Sequence, residues 1–218
     1  MALYIVATPI GNLEDMTYRA VRVLSEVGGV VSEDTRRTGL LLKHYNIPKK
    51  EFISFNDHNA KRQTPKIIEL LLEGKDIAFT SDAGTPGISD PGFYLIREAV
   101  ANNIQIVPIP GAVAAINGLI GSGLPIDKFF FYGFLPKTSG KKLDALKLSN
   151  DFTVAYYESP HRIKKTLELL SKEMPEVNVC VARELTKKFE EFIRGKPEEI
   201  LKVADKIKGE IVLILSSK

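Results

Sequence analysis

The sequence has little of several features that define other classes of protein. Its 218 residues include one cysteine, Cys180, no tryptophan and three histidines. A single cysteine excludes a framework of disulfide bonds and fits a reducing cytoplasm. The histidines are not spaced as metal ligands are, so we expect no metal. No apolar run approaches the length that spans a bilayer and no charged leader stands at the start, so we expect a soluble, cytoplasmic protein without a membrane segment.

Familiar nucleotide-binding motifs are also missing. The pattern G-x-x-x-x-G-K-[ST] does not occur, which argues against a P-loop. No G-x-G-x-x-G follows the first predicted strand, which argues against a dinucleotide site and against the common Rossmann methyltransferase. A net charge of +3 permits an RNA partner without requiring one.

The regular feature of the sequence is an alternation of short apolar runs with longer amphipathic segments. This pattern predicts a parallel sheet with crossover helices, and 44% hydrophobic residues are enough to fill a core. The first five predicted strands are Leu3–Ala7, Gly29–Ser32, Phe52–Phe55, Asp76–Thr80 and Gln105–Ile109. The segment Gly121–Pro125 has the composition of a linker. We therefore predict two α/β domains, residues 1–121 and 122–218, the first with a mostly parallel sheet.

The second predicted domain has a different spacing of strands. Its strands are predicted at Lys128–Phe134, Thr153–Tyr157, Val177–Ala182, Phe189–Arg194 and Glu210–Leu215. Because no crossover helix fits before Phe189–Arg194, this sheet is predicted to be mixed. Cys180 is predicted to be a buried strand residue.

Helices are predicted from their capping signals. Thr64-Pro65 and Asp90-Pro91 each offer a capping side chain followed by proline, so a helix is expected to begin at each. Further helices are predicted at Thr17–Val27, Gly140–Leu148, Pro160–Glu173 and Pro197–Ile207.

Five loops follow the carboxyl ends of the first five strands, where open α/β sheets bind ligands. They are small, polar or rich in glycine, and they begin at Thr8, Glu33, Asn56, Ser81 and Pro110. Glycine and proline make tight turns in any sheet, but five such loops at one edge favour a ligand crevice.

Five segments stand in the order and spacing of one family. They are Val6–Leu13, Ser32–Arg36, Ser81–Gly92, Tyr157–Arg162 and Ala182–Lys187. Over essentially its whole length the chain resembles the small-subunit ribosomal RNA methyltransferases of the tetrapyrrole methylase superfamily, which methylate the ribose 2′-hydroxyl of a cytidine. Longer members carry a further C-terminal segment.

The resemblance implies a cofactor, a substrate and an assembly. S-adenosylmethionine is expected in a cleft between the two domains, 16S RNA of the small ribosomal subunit is the expected substrate, and a homodimer is the expected assembly. The implied cofactor contacts are Pro9, Gly11, Asp82, Gly84, Thr85, Pro86, Ile88, Ala114, Tyr157, Arg183 and Glu184.

A ribose hydroxyl is a weak acid, so a nearby general base would assist its attack on the methyl group. The candidates are His58, which has the most suitable ordinary pKa, and the carboxylates Asp34, Glu33 and Glu158. The alternatives are that His58 caps backbone groups and that Asp34 pairs with Arg36. The candidate RNA contacts are Arg36, Arg37, Arg162 and Lys187, with a structural salt bridge as the alternative for Arg162.

Two rival functions stay open at this point. One keeps the fold and methylates a porphyrinogen, although the Tyr157–Arg162 and Ala182–Lys187 motifs belong to the RNA branch. The other is an RNA-binding factor without catalysis, although a binding module has no need of five crevice loops.

Overall fold

The computed structural model describes all 218 residues and separates into two compact units, Met1–Ala112 and Val113–Lys218. The predicted boundary at residues 121 and 122 lies nine residues later. The difference concerns the helix Ala114–Ser122, which packs on the sheet of the C-terminal unit. Its Gly118 allows that contact, because a Cβ there would lie 3.0 Å from Cγ1 of Val212.

The N-terminal unit contains a five-stranded sheet in which all strands are parallel. The strands are β1 (Ala2–Val6), β2 (Gly29–Ser32), β3 (Glu51–Ser54), β4 (Ile77–Thr80) and β5 (Gln105–Ile109). Their order is β3-β2-β4-β1-β5. This confirms the prediction of an α/β unit with a parallel sheet, and it brings the carboxyl ends of all five strands to one edge.

The helices of this unit are α1 (Tyr18–Glu26), α2 (Thr35–His44), α3 (Ala60–Leu72) and α4 (Phe93–Ala101). Two predicted helix starts are wrong. Thr64 is buried inside α3 and Pro65 follows it there, because the turn at Asn56 starts the helix earlier. Asp90 does not cap α4, because the chain makes a further turn and Gly92 is the capping residue. The sequence patterns also miss α2, which begins directly after β2.

The C-terminal unit contains a mixed five-stranded sheet, as predicted. Its strands are β6 (Phe129–Phe134), β7 (Thr153–Glu158), β8 (Asn178–Arg183), β9 (Glu191–Gly195) and β10 (Ile211–Ser216). The order is β6-β7-β10-β8-β9, with β6 parallel to β7 and every other pair antiparallel. The helices are α5 (Ala114–Ser122), α6 (Ser139–Leu146), α7 (Ile163–Glu173) and α8 (Pro197–Leu201).

Apolar residues of successive strands fill a core on each face of the N-terminal sheet and one large core in the C-terminal unit. In the C-terminal unit α5 lies on the face of β10 that carries Val212 and Ile214. The large core lies on the other face, with Tyr156 of β7 fully buried and its hydroxyl donating to the carbonyl of Ala145, 2.9 Å away. That bond satisfies the one polar atom of the ring.

Cys180 lies on β8 and is fully buried, as predicted. Burial raises the pKa of its thiol to about 11. The thiol therefore stays protonated at neutral pH and is not an activated nucleophile. No helix of the structure is both long enough and apolar enough to span a bilayer.

Candidate active site

Four of the five predicted crevice loops are joined to one another in the N-terminal unit. Thr8 and Gly84 form a short antiparallel bridge, with N–H to carbonyl distances of 2.8 and 3.0 Å. The hydroxyl of Thr85 donates to the carbonyl of Ala112, 3.1 Å away. The carboxylate of Asp82 accepts from the main-chain N–H of Asp34, 3.0 Å away. The loops after β1, β2, β4 and β5 therefore form one connected edge.

The loop after β4 depends on glycine at its tightest point. Gly84 has φ +83°, and a Cβ there would lie 3.3 Å from Cγ2 of Ile10 and 3.5 Å from the carbonyl oxygen of Ala112. Both the backbone angle and the space therefore favour glycine. The neighbouring predicted cofactor residues Pro9 and Pro86 are buried. The remaining ones in this unit are Gly11, which is exposed, and Asp82, Thr85 and Ile88, which are partly exposed.

The fifth loop, after β3, is held by its own hydrogen bonds. The side-chain oxygen of Asn56 accepts from the main-chain N–H of both His58 and Asn59 at 3.1 Å. His58 itself is exposed. Its main chain, not its ring, makes this bond, so the ring is not the backbone cap that was the alternative to catalysis.

Carboxylates are concentrated at the same edge. Burial, followed by repulsion from Asp82, Asp90 and Asp57, raises the pKa of Glu33. Burial also raises the pKa of Asp90, with the negative charges of Asp82 and Asp57 acting in the same direction. The carboxylate of Glu33 accepts no hydrogen bond and makes no ion pair. Glu33 is thus a partly buried, unpaired carboxyl group, which is a frequent property of a general base.

Asp34 is a different kind of group although it is the next residue. Its carboxylate caps α2 by accepting from the N–H of Arg36 at 2.9 Å, and it pairs with the Arg36 guanidinium at 2.8 Å. The side-chain hydrogen bond from Arg36 is the main reason that the pKa of Asp34 falls to about 2. The pairing that the sequence analysis left open is confirmed, and a carboxylate of so low a pKa is a weak base.

The two arginines that begin α2 point their charge into solvent. The side chain of Arg36 is 88% exposed and that of Arg37 is 68% exposed, even though each touches a carboxylate. Arg37 lies 3.2 Å from Asp82. Both guanidinium groups keep donors that a phosphate can reach.

Glu158, at the end of β7 in the C-terminal unit, is fully buried among partners. One carboxylate oxygen accepts from Arg162 Nε at 2.6 Å, and the other accepts from the Thr166 hydroxyl at 2.8 Å. Lys142 Nζ lies 3.5 Å from that second oxygen and donates to the Thr166 hydroxyl at 2.9 Å. A carboxylate with both oxygens occupied and no exposure has no free acceptor for a substrate proton. The geometry thus favours a structural role for Glu158 and for Arg162.

The other members of this network, Lys142 and Thr166, are not among the predicted site residues. Lys142 is buried, although a lysine-rich segment such as the one around it is typical of an exposed surface. The spacing of Glu158 and Arg162, four residues apart where a helix begins, is the signal that indicates the pairing. The guanidinium of Arg162 also donates to the carbonyl of Leu135 at 3.0 Å, which ties the end of β6 to this turn.

The charged side chains of the Arg183–Lys187 segment form ion pairs with acidic residues. Lys187 Nζ lies 3.1 Å from Glu184 and 2.9 Å from Glu210, while Arg183 pairs with Glu191 at 2.8 Å. The main-chain N–H of Glu210 donates to Glu184 and, with Lys187, lowers the pKa of Glu184. The geometry favours a structural role for Lys187, which has two acidic partners.

The last two predicted cofactor residues lie elsewhere in the C-terminal unit. Ala114 is the first residue of α5, and Tyr157 on β7 is partly buried with its ring between those of Phe131 and Phe134. Their contact with a cofactor stays a prediction, as does the placement of the cofactor between the domains.

The edge of the N-terminal sheet suits a cationic ligand that also carries hydrogen-bonding groups. The hydroxyls of Ser32 and Thr80, which end β2 and β4, are fully buried and have no hydrogen-bond partner. Beside them the Glu33 carboxylate is unpaired and near three aspartates. S-adenosylmethionine carries a sulfonium, an ammonium and several polar groups, so its charge fits this edge. No group of three or more His, Cys, Asp or Glu is arranged to hold a metal.

Comparison with known proteins agrees with this fold. The family model described as Tetrapyrrole (Corrin/Porphyrin) Methylases matches residues 2–201. Among solved structures, uroporphyrin-III-C-methyltransferase from Thermus thermophilus superimposes with a TM-score of 0.70 at 21% identity, covering 99% of this chain and 94% of that one. A cobalt precorrin-4 methyltransferase of cobalamin biosynthesis gives a TM-score of 0.72 at 16% identity, covering 99% and 93%. The chain has the tetrapyrrole methylase fold.

Relatives in sequence show to which family within the tetrapyrrole methylases the chain belongs. "Ribosomal RNA small subunit methyltransferase I" of Hydrogenobaculum sp. is 48% identical over 223 residues, which cover 100% of this chain and 96% of that relative. The protein of the same name from Bacillus subtilis is 46% identical over 98% of this chain and 74% of its own length. The chain therefore belongs to the ribosomal RNA small subunit methyltransferase I family within the tetrapyrrole methylases, and it is an S-adenosylmethionine-dependent methyltransferase.

Proposed function

We propose that this protein transfers a methyl group from S-adenosylmethionine to the ribose 2′-hydroxyl of a cytidine in 16S RNA of the small ribosomal subunit. The observation that carries the proposal is the connected edge of the N-terminal sheet, where an unpaired carboxylate stands beside buried, unpartnered hydroxyls. The names of the relatives at 46–48% identity supply the class of substrate.

S-adenosylmethionine supplies an activated methyl group on a positively charged sulfur. The chain supplies binding and orientation. The Thr8–Gly84 bridge and the Thr85–Ala112 hydrogen bond fix the loops on which the predicted contacts lie. Rigid loops reduce the entropy that is lost when donor and acceptor are aligned, which is the main requirement of an in-line transfer.

Glu33 is the general base of this proposal. A base is most effective when its pKa approaches the working pH, and burial with neighbouring negative charge moves the pKa of Glu33 in that direction. Asp34 and Glu158 have partners that occupy their oxygens. His58 is the alternative base, because its ring is exposed at the same edge of the sheet.

Arg36 and Arg37 are the proposed phosphate contacts. They are exposed at the start of α2, two and three residues after Asp34. They follow Glu33 by three and four residues, and the charge of Arg37 acts on the carboxyl group of Glu33. RNA phosphates near the target ribose would then lie against the beginning of α2.

Two further parts of the proposal concern assembly and location. Ile116 and Ile120 are 38% and 67% exposed and lie one helical turn apart on α5, which supports a homodimer formed through apolar contacts. The unpaired, buried cysteine agrees with a cytoplasmic protein. Sedimentation of the wild type and of Ile120→Lys tests the dimer, which the charged variant should weaken.

Methyl transfer from labelled S-adenosylmethionine to small ribosomal subunits tests the function. The subunits come from cells that lack the endogenous enzyme. The Gly84→Trp variant should lose cofactor binding, measured by calorimetry, and with it all transfer, because its buried position has no room for a ring. Gly140→Trp is the matched control, since Gly140 is exposed with nothing within 4 Å of its Cβ position. Normal cofactor affinity in Gly84→Trp, with the fold intact, would contradict the site.

A further inference from the structure

The exposed aromatic strand β6 is not used by the chemistry described above. Phe129, Phe130 and Phe134 are 45%, 47% and 62% exposed, and Tyr132 is 37% exposed. The strand forms one edge of its sheet and pairs only with β7. Large aromatic rings are costly to leave in water, so a cluster of them on a surface indicates a binding role.

An irregularity in the strand places two of these rings on the same face. The register with β7 shifts between Phe131 and Gly133, and Gly133 has φ +84°. Residues three apart on a regular strand point to opposite faces, but the extra residue brings Phe131 and Phe134 to the same side. Their ring centroids lie 5.1 and 5.4 Å from that of Tyr157. We call Phe131, Phe134 and Tyr157 the aromatic platform.

Hydrogen bonds at the residue that follows Phe134 fix the position of the platform. The N–H of Leu135 donates to the carbonyl of Tyr157 at 3.2 Å, and the carbonyl of Leu135 accepts from Arg162, which is itself fixed by buried Glu158. The residue that follows Phe134 is thus anchored on both sides. A fixed ring loses little conformational entropy when a ligand stacks on it.

The charge around the platform is positive. From Ile126 to Lys141 the sequence holds three lysines, Lys128, Lys137 and Lys141, against one acidic residue, Asp127. All three lysines are exposed and none makes an ion pair. Exposed aromatic rings between unpaired cations are typical of surfaces that stack nucleobases and neutralise phosphates. Protein interfaces, by contrast, are depleted in lysine.

We infer that the aromatic platform stacks an unpaired base of the RNA substrate, with Lys128, Lys137 and Lys141 on the adjoining phosphates. This inference rests on the proposed function for the identity of the RNA. It assigns Phe134, the most exposed ring, as a specificity-determining contact. The face of β6 that carries Phe130 and Tyr132 belongs to the other side of the sheet, where Tyr132 lies 5.7 Å from the core residue Tyr156.

The absence of tryptophan from the chain provides a direct probe. Phe134→Trp introduces a single tryptophan into the platform, and Phe130→Trp introduces one at a similarly exposed position on the opposite face. The ligand is a single-stranded oligoribonucleotide of about ten nucleotides with cytidine at its centre. We expect the RNA to quench the indole fluorescence of the Phe134→Trp variant through stacking and to leave the emission of the Phe130→Trp control unchanged. Equal quenching in both variants, or none in Phe134→Trp, would overturn the inference.

Kinetics on the natural substrate give a second readout. Phe134→Leu keeps the apolar contact but removes the ring, so we expect KM for the small subunit to rise about tenfold, with cofactor affinity and kcat little changed. Phe130→Leu should leave KM unaltered. An unchanged KM in Phe134→Leu, or a loss of self-association by sedimentation without a change of KM, would show that the platform is not an RNA contact.

The two proposals fail separately. If wild-type protein transfers no methyl group to subunits, the proposed function is wrong, while the fluorescence comparison still decides whether the platform stacks RNA. If wild type is active and the two Phe134 variants behave as their Phe130 controls do, only the platform is wrong.

Discussion

Glu33 and Glu158 stand at equivalent places in the two units, each at the carboxyl end of a strand, and each is a candidate base from the sequence. Their surroundings are opposite. Glu33 has carboxylates around it and no hydrogen-bond partner, whereas Glu158 is buried between Arg162 and Lys142. The carboxylate of Glu33 has no ion-pair partner of its own, although Arg36 and Arg37 pair with the neighbouring aspartates, whereas the carboxylate of Glu158 has two cationic partners.

This difference separates a group that is available for chemistry from a group that holds the fold. Unpaired, partly buried charge lowers stability, so it is kept where it has a function. A buried carboxylate that is fully paired adds order to its neighbours, but removing one partner leaves the others without compensation. The following predictions test whether the two carboxylates differ in this way.

The largest effect is expected from Glu158→Ala. The change leaves the buried ammonium of Lys142 and the guanidinium of Arg162 without a counter-charge, so the free energy of unfolding should fall by about 3–5 kcal/mol. Urea unfolding followed by circular dichroism measures it. Asp205→Ala, which breaks the exposed pair with Lys164, should change stability far less, because solvent screens that pair. Similar losses in the two variants would show that the buried network has no special role.

Glu33→Gln should have the opposite effects, with a large loss of activity and no loss of stability. We expect kcat to fall about 100-fold because the proton acceptor is lost, while cofactor affinity stays close to wild type. Stability at neutral pH should rise slightly, because an unpaired carboxylate is removed. Single-turnover methylation and calorimetry measure the two effects. If His58→Ala slows turnover and Glu33→Gln does not, the base is His58.

Asp90→Asn tests the electrostatics of the acidic edge through its pH dependence. The pKa of Asp90 is raised in the fold above its ordinary value of 3.8. The protonated form therefore contributes stability below pH 3.8 that is lost as pH rises through the raised pKa. Because solvent screens this partly exposed group, asparagine should stabilise the protein by no more than about 1 kcal/mol at pH 7, and not at all below pH 3.8. A stability difference between Asp90→Asn and wild type that does not vary with pH would contradict the account.

The smallest effect is expected from the exposed arginines. Arg36→Ala should weaken binding of the small subunit modestly and reduce the slope of log affinity against log salt by about 1. Lys187→Ala should leave that slope unchanged, because Glu184 and Glu210 already neutralise the lysine. A salt slope that changes only in Lys187→Ala would reverse this assignment of RNA contacts.

Much of the architecture follows from the sequence because strand periodicity is a local signal. All ten strands occur near their predicted positions, and the lack of a crossover helix before β9 is enough to predict the mixed sheet. Helix starts are less reliable, since Thr64-Pro65 has the chemistry of a cap but the turn at Asn56 begins α3 first. A local motif does not reveal an earlier start in the chain.

The sequence predicts which loops form the candidate site, but it predicts the roles of the individual residues less well. The order of the motifs indicates which loops matter. Whether Asp34 acts as base or cap depends on its contacts with Arg36, which no motif reveals. The spacing of Glu158 and Arg162 indicates a pair, but the burial that gives this pair a structural role does not appear in composition or spacing. The raised pKa of Glu33 arises from burial and from Asp82, Asp90 and Asp57, which lie far from it in sequence.

The position of the transferred methyl group tests the central claim most directly. Small subunits labelled by the wild-type protein are digested with nuclease, and the modified nucleoside is identified by mass spectrometry. The account predicts one additional methyl group on the ribose 2′-oxygen of a cytidine, at a level that Glu33→Gln reduces. A methyl group on a base, or transfer to a porphyrinogen with none to the subunit, would contradict it.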